Sequence, residues 1–349
     1  MEIKESFEEH FKRLLDKDYD KFLEWSFRLL KKAIRINTIK LIDDINYDNL
    51  KCIIKEENLR YISKEIDNIY NLRQNPFKIN ISAKEVLSRL KDYGWEIKRI
   101  PFYKYGFWID GYRRDIGNTV EFQLGYYYPQ EAASMIPPIA LDPKKDDVIL
   151  DLAAAPGSKT TQIAMHMENE GLIIANDVDI NRIRALGENL QKQGIINTIV
   201  TMMDGLKIDR LNIKFDKILL DAPCSGTGAI RKSYKTLKIW SNDAINRLSY
   251  LQKKLIIKAF DNLKEGGTLV YSTCSVEPLE NEFIVDYLLS KRENAKIEKI
   301  NIPNLNKSEI IEEYGKYKIE NLEDIRNTVR IWPWDNDTEG FYIAKIKKI

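Results

Sequence analysis

From about residue 146 onward the chain alternates short β-type apolar runs with helical stretches, a pattern that commits it to a mostly parallel sheet with helices on both faces. The runs are Val148 to Leu152, Leu172 to Asn176, Thr198 to Met202, Lys217 to Leu220 and Thr268 to Ser272, with a last strand at Phe341 to Ile346. The clearest helix is predicted over Ser241 to Leu263, where Ile245, Leu248, Leu251, Leu255, Ile256, Ala259 and Leu263 recur at helical spacing. Ser241-Asn242 supplies its N-cap and Gly266-Gly267 closes it. In a doubly wound sheet of this kind the ligand crevice lies outside the carboxyl ends of the strands.

The region before residue 139 reads differently. An amphipathic helix is expected from Glu5 to Leu30, a strand at Ala33 to Ile39, and charged helical segments up to Tyr93. Aromatic-rich runs follow at Pro101 to Asp110 and Gly125 to Pro129. These mark a smaller α+β domain at 1–138, joined near Pro137-Pro138 to Pro143 to a second domain at 139–349. A chain of 349 residues has room for about two domains. The polar, Asn-rich stretch at 43–80 reads as an insertion.

Composition narrows the chemistry. No apolar run approaches the ~18 residues of a membrane-spanning helix, and the charged start Met1 to Glu9 is unlike a secretory signal, so a cytoplasmic protein is expected. Cys52, Cys224 and Cys274 are the only cysteines and have no metal-type spacing, which argues against both a disulfide framework and a metal site. With only His10 and His166, a histidine-based triad is also disfavoured, and catalysis must run on Cys, Asp and Lys. Net charge is +2, from 55 basic and 53 acidic residues, so bulk charge announces no nucleic-acid partner. One local patch does stand out: Arg231, Lys232, Lys235 and Lys238, interleaved with Tyr234 and Trp240, with no acid among them. Taken alone it is best read as a solvated face.

The sharpest segment runs Asp151-Leu152-Ala153-Ala154-Ala155-Pro156-Gly157-Ser158-Lys159-Thr160-Thr161, after a strand and opening a helix. A phosphate-binding loop of the GxxxxGK type needs glycines where this chain has Ala153 and Ser158, and the three-glycine dinucleotide fingerprint is missing as well. Small residues at a helix N-terminus instead suit a cofactor lying over the strand end, as the methionine part of S-adenosylmethionine would. Asp177, ending the second strand, is placed for ribose hydroxyls, whereas Asp179 and Asn181 read as helix caps. Asp204, after the third strand, is placed for the adenine amino group, although alone it reads as a turn residue.

The fourth strand ends in Asp221-Ala222-Pro223-Cys224-Ser225-Gly226-Thr227-Gly228 and the fifth in Tyr271-Ser272-Thr273-Cys274-Ser275. Two cysteines thus converge on one crevice, while Cys52 reads as a small buried apolar residue. Two thiols and a carboxylate beside such a cofactor fit one problem, methylating a carbon with no nucleophilicity of its own, such as carbon 5 of cytosine. A thiolate adding to carbon 6 makes carbon 5 an enamine-type nucleophile. Asp221, kept protonated, would donate a hydrogen bond to ring nitrogen 3. Lys159 is placed to lower the thiol pKa or to contact the base carbonyl.

These strings, with Tyr271 to Glu282, Arg35-Ile36-Asn37-Thr38, Tyr128 to Ser134 and Asp337-Thr338-Glu339-Gly340-Phe341, resemble the signature motifs of the RsmB/Nop/Sun (NSUN) family of RNA cytosine-5 methyltransferases. The resemblance spans nearly the whole chain and implies a Rossmann-like class I methyltransferase domain preceded by an RNA-binding part. It further implies that Cys274 is the nucleophile and Cys224 assists product release. Cofactor contacts are implied from Ala153, Ala154, Ala155, Pro156, Gly157, Ser158 and Lys159 and from Asp177, Arg182, Asp204 and Asp221. The partner would be RNA, tRNA ahead of rRNA, read through a flipped cytidine by a monomer with no metal or membrane. Arg231 to Trp240 would lie next to the substrate groove. The chain departs from the family pattern at Ala153 (often Cys), Ser158 (often Gly) and Trp334 (usually His). Two rivals are a non-catalytic RNA-binding ribosome-assembly factor and an adenine-amino methyltransferase. The retained cysteines and acids argue against the first, and Asp221-Ala222-Pro223-Cys224 is a poor match to the motif of the second.

Overall fold

A computed structural model describes residues 3–44, 81–111 and 115–349. Cys52 and nearly all of the expected insertion at 43–80 lie outside the described residues. The smaller sheet is antiparallel, in the order β2-β3-β1-β4, built from β1 (Lys32–Ile36), β2 (Trp95–Arg99), β3 (Gly106–Gly111) and β4 (Tyr127–Pro129). In the larger sheet β5 (Val148–Asp151), β6 (Leu172–Asp177), β7 (Thr198–Met202), β8 (Phe215–Asp221) and β9 (Leu263–Thr273) run parallel in the order β7-β6-β5-β8-β9. β10 (Ala295–Glu298), a short hairpin of β11 (Glu313–Tyr314) and β12 (Tyr317–Lys318), and β13 (Val329–Ile331) come next. The last strand, β14 (Phe341–Lys348), is antiparallel to β9, β10 and β13 and continues the larger sheet. The order reverses between β5 and β8, so a crevice opens at their carboxyl ends.

Period-two alternation divides the central strands between two cores. Leu150, Ile174, Ile218, Leu220, Leu269 and Tyr271 face one layer, with Leu255, Ile256 and Phe260 from the helix Asn242–Asp261. Their neighbours Ile149, Ile173, Leu219, Val270 and Ile343 face the other, with Ile136 and Ile163. Each such side chain, fully buried, contributes roughly 1.5–3 kcal/mol of transfer free energy.

Three expected boundaries move, each for a local reason. The helix expected over Glu5 to Leu30 is two helices, α1 (Glu5–Leu15) and α2 (Tyr19–Phe27), split at Asp16, whose φ is 46°. Aspartate tolerates that left-handed region, and the break lets Phe7, Phe11, Leu15, Tyr19 and Phe22 close on one cluster with Ile230, Trp240, Val276 and Trp332. β1 stops at Ile36 because the Asn37 side chain accepts from the Ile39 N–H at 3.1 Å, an Asx turn. The helix expected over Ser241 to Leu263 ends at Asp261, where Asn262 donates back to the Lys258 carbonyl at 2.8 Å. Gly266-Gly267 lies inside β9 and closes no helix. Its N-cap is as read: Ser241 Oγ accepts from the Ala244 N–H at 3.2 Å.

Arg330 in β13 and Glu282, at the start of the helix Glu282–Lys291, are both fully buried and joined by paired hydrogen bonds of 2.7 and 2.6 Å. The third nitrogen of Arg330 donates to the Val276 carbonyl at 2.9 Å, fixing the segment that follows Cys274. Truncating one member leaves the other charge buried and unpaired. We expect Arg330→Ala to lose about 3–5 kcal/mol in urea unfolding; a loss below about 1 kcal/mol would show that the pair does not anchor this segment.

Candidate active site

β8 and β9 pair in parallel with Asp221 opposite Ser272, so their exit loops leave the sheet side by side, with Cys224 three residues past Asp221 and Cys274 two past Ser272. This places Cys224 Sγ 3.4 Å from Cys274 Sγ, both half-buried. The hydrogen bond to Cys274, burial, and the charges of Cys274, Glu280 and Asp221 together push the Cys224 thiol well above its usual range. Cys224 is thereby held protonated, and either sulfur can be the donor in the contact between them.

Hydroxyls and one acid lock the two loops together. Ser225 donates to Glu280 through both its backbone N–H and its Oγ, and its Oγ meets Ser275 Oγ at 3.1 Å. Thr227 Oγ1 meets the same Ser275 hydroxyl at 3.1 Å, and Asn281 Nδ2 donates to the Ser275 carbonyl at 2.9 Å. The Gly228 N–H donates to the Cys274 carbonyl at 3.0 Å, and the Gly228 carbonyl accepts from Gly340. A Cβ on Gly228 would stand 2.1 Å from the Gly340 oxygen and 2.9 Å from that of Cys274, so the glycine is required by close approach.

Lys159, the second residue of the helix Ser158–His166, reaches Asp221 Oδ2 at 2.7 Å and Ser134 Oγ at 3.0 Å, and lies 5.5 Å over the Phe341 ring. Burial alone would lower its pKa, but the Asp221 charge and hydrogen bond, with Cys274 and Asp151 adding, leave it raised. Asp221 Oδ1 accepts from Ser272 Oγ at 2.7 Å. Both Asp221 oxygens are thus engaged, one by Lys159 and one by Ser272.

The small-residue turn sits beside the end of β6. The Ala154 N–H donates to the Asn176 carbonyl at 2.8 Å, and the Ala155 N–H to Asp177 Oδ2 at 3.2 Å. Gly157 has φ 102°, and a Cβ there would meet Leu186 Cδ1 at 2.8 Å. Asp177 is buried, with Arg182 Nη1 3.4 Å from Oδ2, and Arg182 also donates to the Ala155 carbonyl. Asp179 caps the helix Ile180–Gln193, and the Asp204 side chain accepts from Leu206 N–H at a more exposed turn. Ala153, Pro156 and Ser158 complete the turn. Among the described residues, no group of three or more His, Cys, Asp or Glu could hold a metal ion.

Residues 138–347 match the family described as 16S rRNA methyltransferase RsmB/F, and residues 48–132 match the N-terminal domain of 16S rRNA methyltransferase RsmF. The chain belongs to the RsmB/F methyltransferase family. It is 42% identical to the tRNA (cytosine(49)-C(5))-methyltransferase of Pyrococcus abyssi, over 100% of this chain and 99% of that one. It is 37% identical to the ribosomal RNA small subunit methyltransferase F of Shewanella piezotolerans, over 88% of this chain but 63% of the relative's length. A solved methyltransferase homolog from Pyrococcus horikoshii superposes with TM-score 0.77 at 34% identity, covering 98% and 94% of the two chains. The fold is shared with NSun6 from the same organism, solved with SFG, at TM-score 0.75 and 24% identity over 99% and 98% of the chains.

Within this RsmB/F site, several groups escaped the sequence reading. Asp151 was legible only as the acid preceding the turn; burial pushes its carboxyl up to about 7, Thr160 donates to one oxygen at 2.7 Å, and Oδ1 has no hydrogen-bond partner among the described residues. Glu131 accepts from the N–H groups of Ser134 and Glu339, both at 3.1 Å, and so clamps two loops beside Lys159. No periodicity or spacing marks such long-range partners. The basic patch is also partly corrected. Arg231 is buried against Asp337 at 2.8 Å and the Leu29 carbonyl at 2.9 Å, and Trp240 donates to buried Glu277 at 2.9 Å. Only Lys232, Tyr234, Lys235 and Lys238 of that patch are exposed. Trp334 stacks on Trp332 at 5.3 Å with Lys21 4.3 Å over its ring, so it clamps α2.

Burial and the charge of Glu131 push Glu339 up to about 8 from an ordinary 4.5. Between those values the folded chain holds a proton that the unfolded chain has lost, so this group's contribution to stability falls as pH rises through the window. Glu339→Gln removes that loss. Its Tm relative to wild type should rise by a few °C between pH 5 and pH 9; a difference constant with pH would contradict the shift.

Proposed function

We propose that this chain transfers the methyl group of S-adenosylmethionine to carbon 5 of a cytidine in RNA, with Cys274 as the covalent nucleophile. The observation that carries this reading is the pair of thiols 3.4 Å apart at the ends of adjacent strands, with Lys159 and Asp221 hydrogen-bonded beside them. The cofactor residues fit. The turn Ala153 to Ser158 and Asp151, with its unpartnered oxygen, would hold the methionine part; Asp177 and Arg182 would hold the ribose, and Asp204 the adenine. When bound, the cofactor supplies an electrophilic methyl group.

The chain's own residues then divide the work. The Cys274 thiolate adds to carbon 6, and charge builds at ring nitrogen 3 and the base carbonyl. Lys159, 2.7 Å from Asp221, offers the hydrogen bond this charge needs, and a proton passing to the ring leaves a lysine that Asp221 and Ser134 still position. After methylation, a solvent water takes the carbon 5 proton, the ring double bond re-forms as Cys274 departs as a thiolate, and the ring proton returns to Lys159. Cys224, which retains its proton, stabilises the departing thiolate. Supporting a transfer RNA as substrate, the Pyrococcus abyssi enzyme is matched over 99% of its length and the Shewanella rRNA enzyme over 63%.

The test is a denaturing gel of unmodified tRNA transcripts with S-adenosylmethionine. Cys274→Ala should form no protein–RNA adduct and lose methyl transfer by about 10⁴-fold or more, while Cys224→Ala should accumulate the adduct. An adduct from Cys274→Ala and none from Cys224→Ala would reverse the roles. Absence of methyl transfer to any tRNA or rRNA would remove the activity.

A further inference from the structure

The last residue of α2, Phe27, and the residue opening the helix Lys235–Ile239, Tyr234, meet at the surface with ring centroids 5.7 Å apart and planes tilted by 37°. Their exposures are 41% and 42%, high for two rings already in contact. They come from segments far apart in the chain, and Arg231 pins them together. Its guanidinium donates to the carbonyls of Arg28 at 3.3 Å and Leu29 at 2.9 Å on the α2 side, and to Thr338 at 3.0 Å. The pair is therefore a fixed platform, not two loose side chains.

Its surroundings carry one sign of uncommitted charge. Lys235 and Lys238 are exposed and form no ion pair among the described residues. Lys232 reaches Glu339 only at 3.8 Å. The nearby acids are spent: Glu24 pairs with Arg28, and Asp337 with Arg231 and Lys31. The platform also stands close to the chemistry. Tyr234 lies six residues after Gly228, whose N–H holds the Cys274 carbonyl at 3.0 Å. Glu339, beside Lys232, directly precedes Gly340 against Gly228.

We infer that Phe27 and Tyr234 form a stacking platform for an unpaired nucleotide next to the target cytidine, with Lys235 and Lys232 taking its phosphates. Aromatic faces bind any base, whereas lysines supply only attraction to the backbone, so the platform orders the strand without reading its sequence. A cytidine drawn out of its stack leaves its neighbour unstacked, and the exposed ring pair replaces the lost stacking. The inference deepens the RNA-methyltransferase reading and rests on it.

The experiment uses the full chain with an unmodified tRNA transcript for turnover and a fluorescein-labelled single-stranded RNA heptamer for binding by anisotropy. Phe27→Leu/Tyr234→Leu keeps apolar volume and removes the π faces; the single Tyr234→Phe variant keeps the face. The double variant should raise both the RNA KM and the heptamer Kd by roughly fivefold to a hundredfold. The KM for S-adenosylmethionine and kcat at saturating RNA should stay unchanged, and Tyr234→Phe should behave as wild type. Lys235→Ala should weaken binding and reduce the salt dependence by about one unit of slope. An RNA KM and heptamer Kd within twofold of wild type in the double variant would overturn the platform, as would equal loss in Tyr234→Phe. A heptamer that binds wild type but not the double variant, with no RNA methylated, would uphold the platform and remove the methyltransferase reading instead.

Discussion

The parallel pairing of β8 with β9 is the constraint from which the candidate chemistry follows. Asp221 opposite Ser272 fixes how far each strand runs before its exit loop begins, and hence where Cys224 and Cys274 meet. A shift of one residue would turn every side chain of a strand to the other core and carry the cysteine away with it. Such a slip is costly because Leu220 and Tyr271 fill one layer while Leu219 and Val270 fill the other. Hydrophobic alternation, which has no chemical role, thereby sets a sulfur–sulfur distance. The hydroxyl bonds among Ser225, Thr227 and Ser275 then hold what the register has placed.

The electrostatics of the crevice follow from burial. Lys159 is the only buried lysine among the described residues, and it stands among acids. Burial pushes Asp151 and Glu280 up to about 7 and Glu339 to about 8, so around neutral pH these carboxyls hold much of their proton complement. The lysine consequently answers chiefly to Asp221, its hydrogen-bond partner, and to Cys274, instead of to a ring of anions. In the proposed reaction one ammonium would then serve both the sulfur nucleophile and a developing charge on a ring, because few competing charges draw on it.

The parallel sheet was readable from sequence because its signal is local: five apolar runs, each within two residues of a strand end except for the long approach of β9. Side chains ending those strands were readable for the same reason, which is how Asp177, Asp221, Cys224 and Cys274 could be named. What escaped is non-local. Whether Arg231 and Trp240 face RNA or the interior depends on Asp337 and Glu277, about 106 and 37 residues away, and charge patterning alone cannot register that. The break at Asp16 escaped because each half of the helix keeps a good apolar stripe. Only the shared cluster with Trp240 and Trp332 makes two helices better than one.

The motif Arg35-Ile36-Asn37-Thr38 shows the same lesson from the other side, since it lies far from the cysteines in sequence yet bears on the small-residue turn before Lys159. Arg35 in β1 is fully buried with no carboxylate partner among the described residues; it donates to Gln130 at 2.8 Å and Thr161 at 2.7 Å and reaches the Ser158 carbonyl at 3.5 Å. Asn37 donates to the carbonyls of Gly125 at 2.9 Å and Gln193 at 2.8 Å. A guanidinium kept in such a place costs desolvation, which pulls its pKa down to about 10. What it gains is a joint between the smaller sheet and the first turn of the helix that carries Lys159. Gln130 extends that joint by donating to Gln162 at 2.8 Å and to the Ser134 carbonyl at 3.1 Å. Ser134 accepts from Lys159, so a displacement of the smaller sheet would reach the lysine through two routes at once. The smaller sheet is in this sense a wall of the site, which gives a physical reason for a motif near the start of the chain to accompany cysteine motifs near its end.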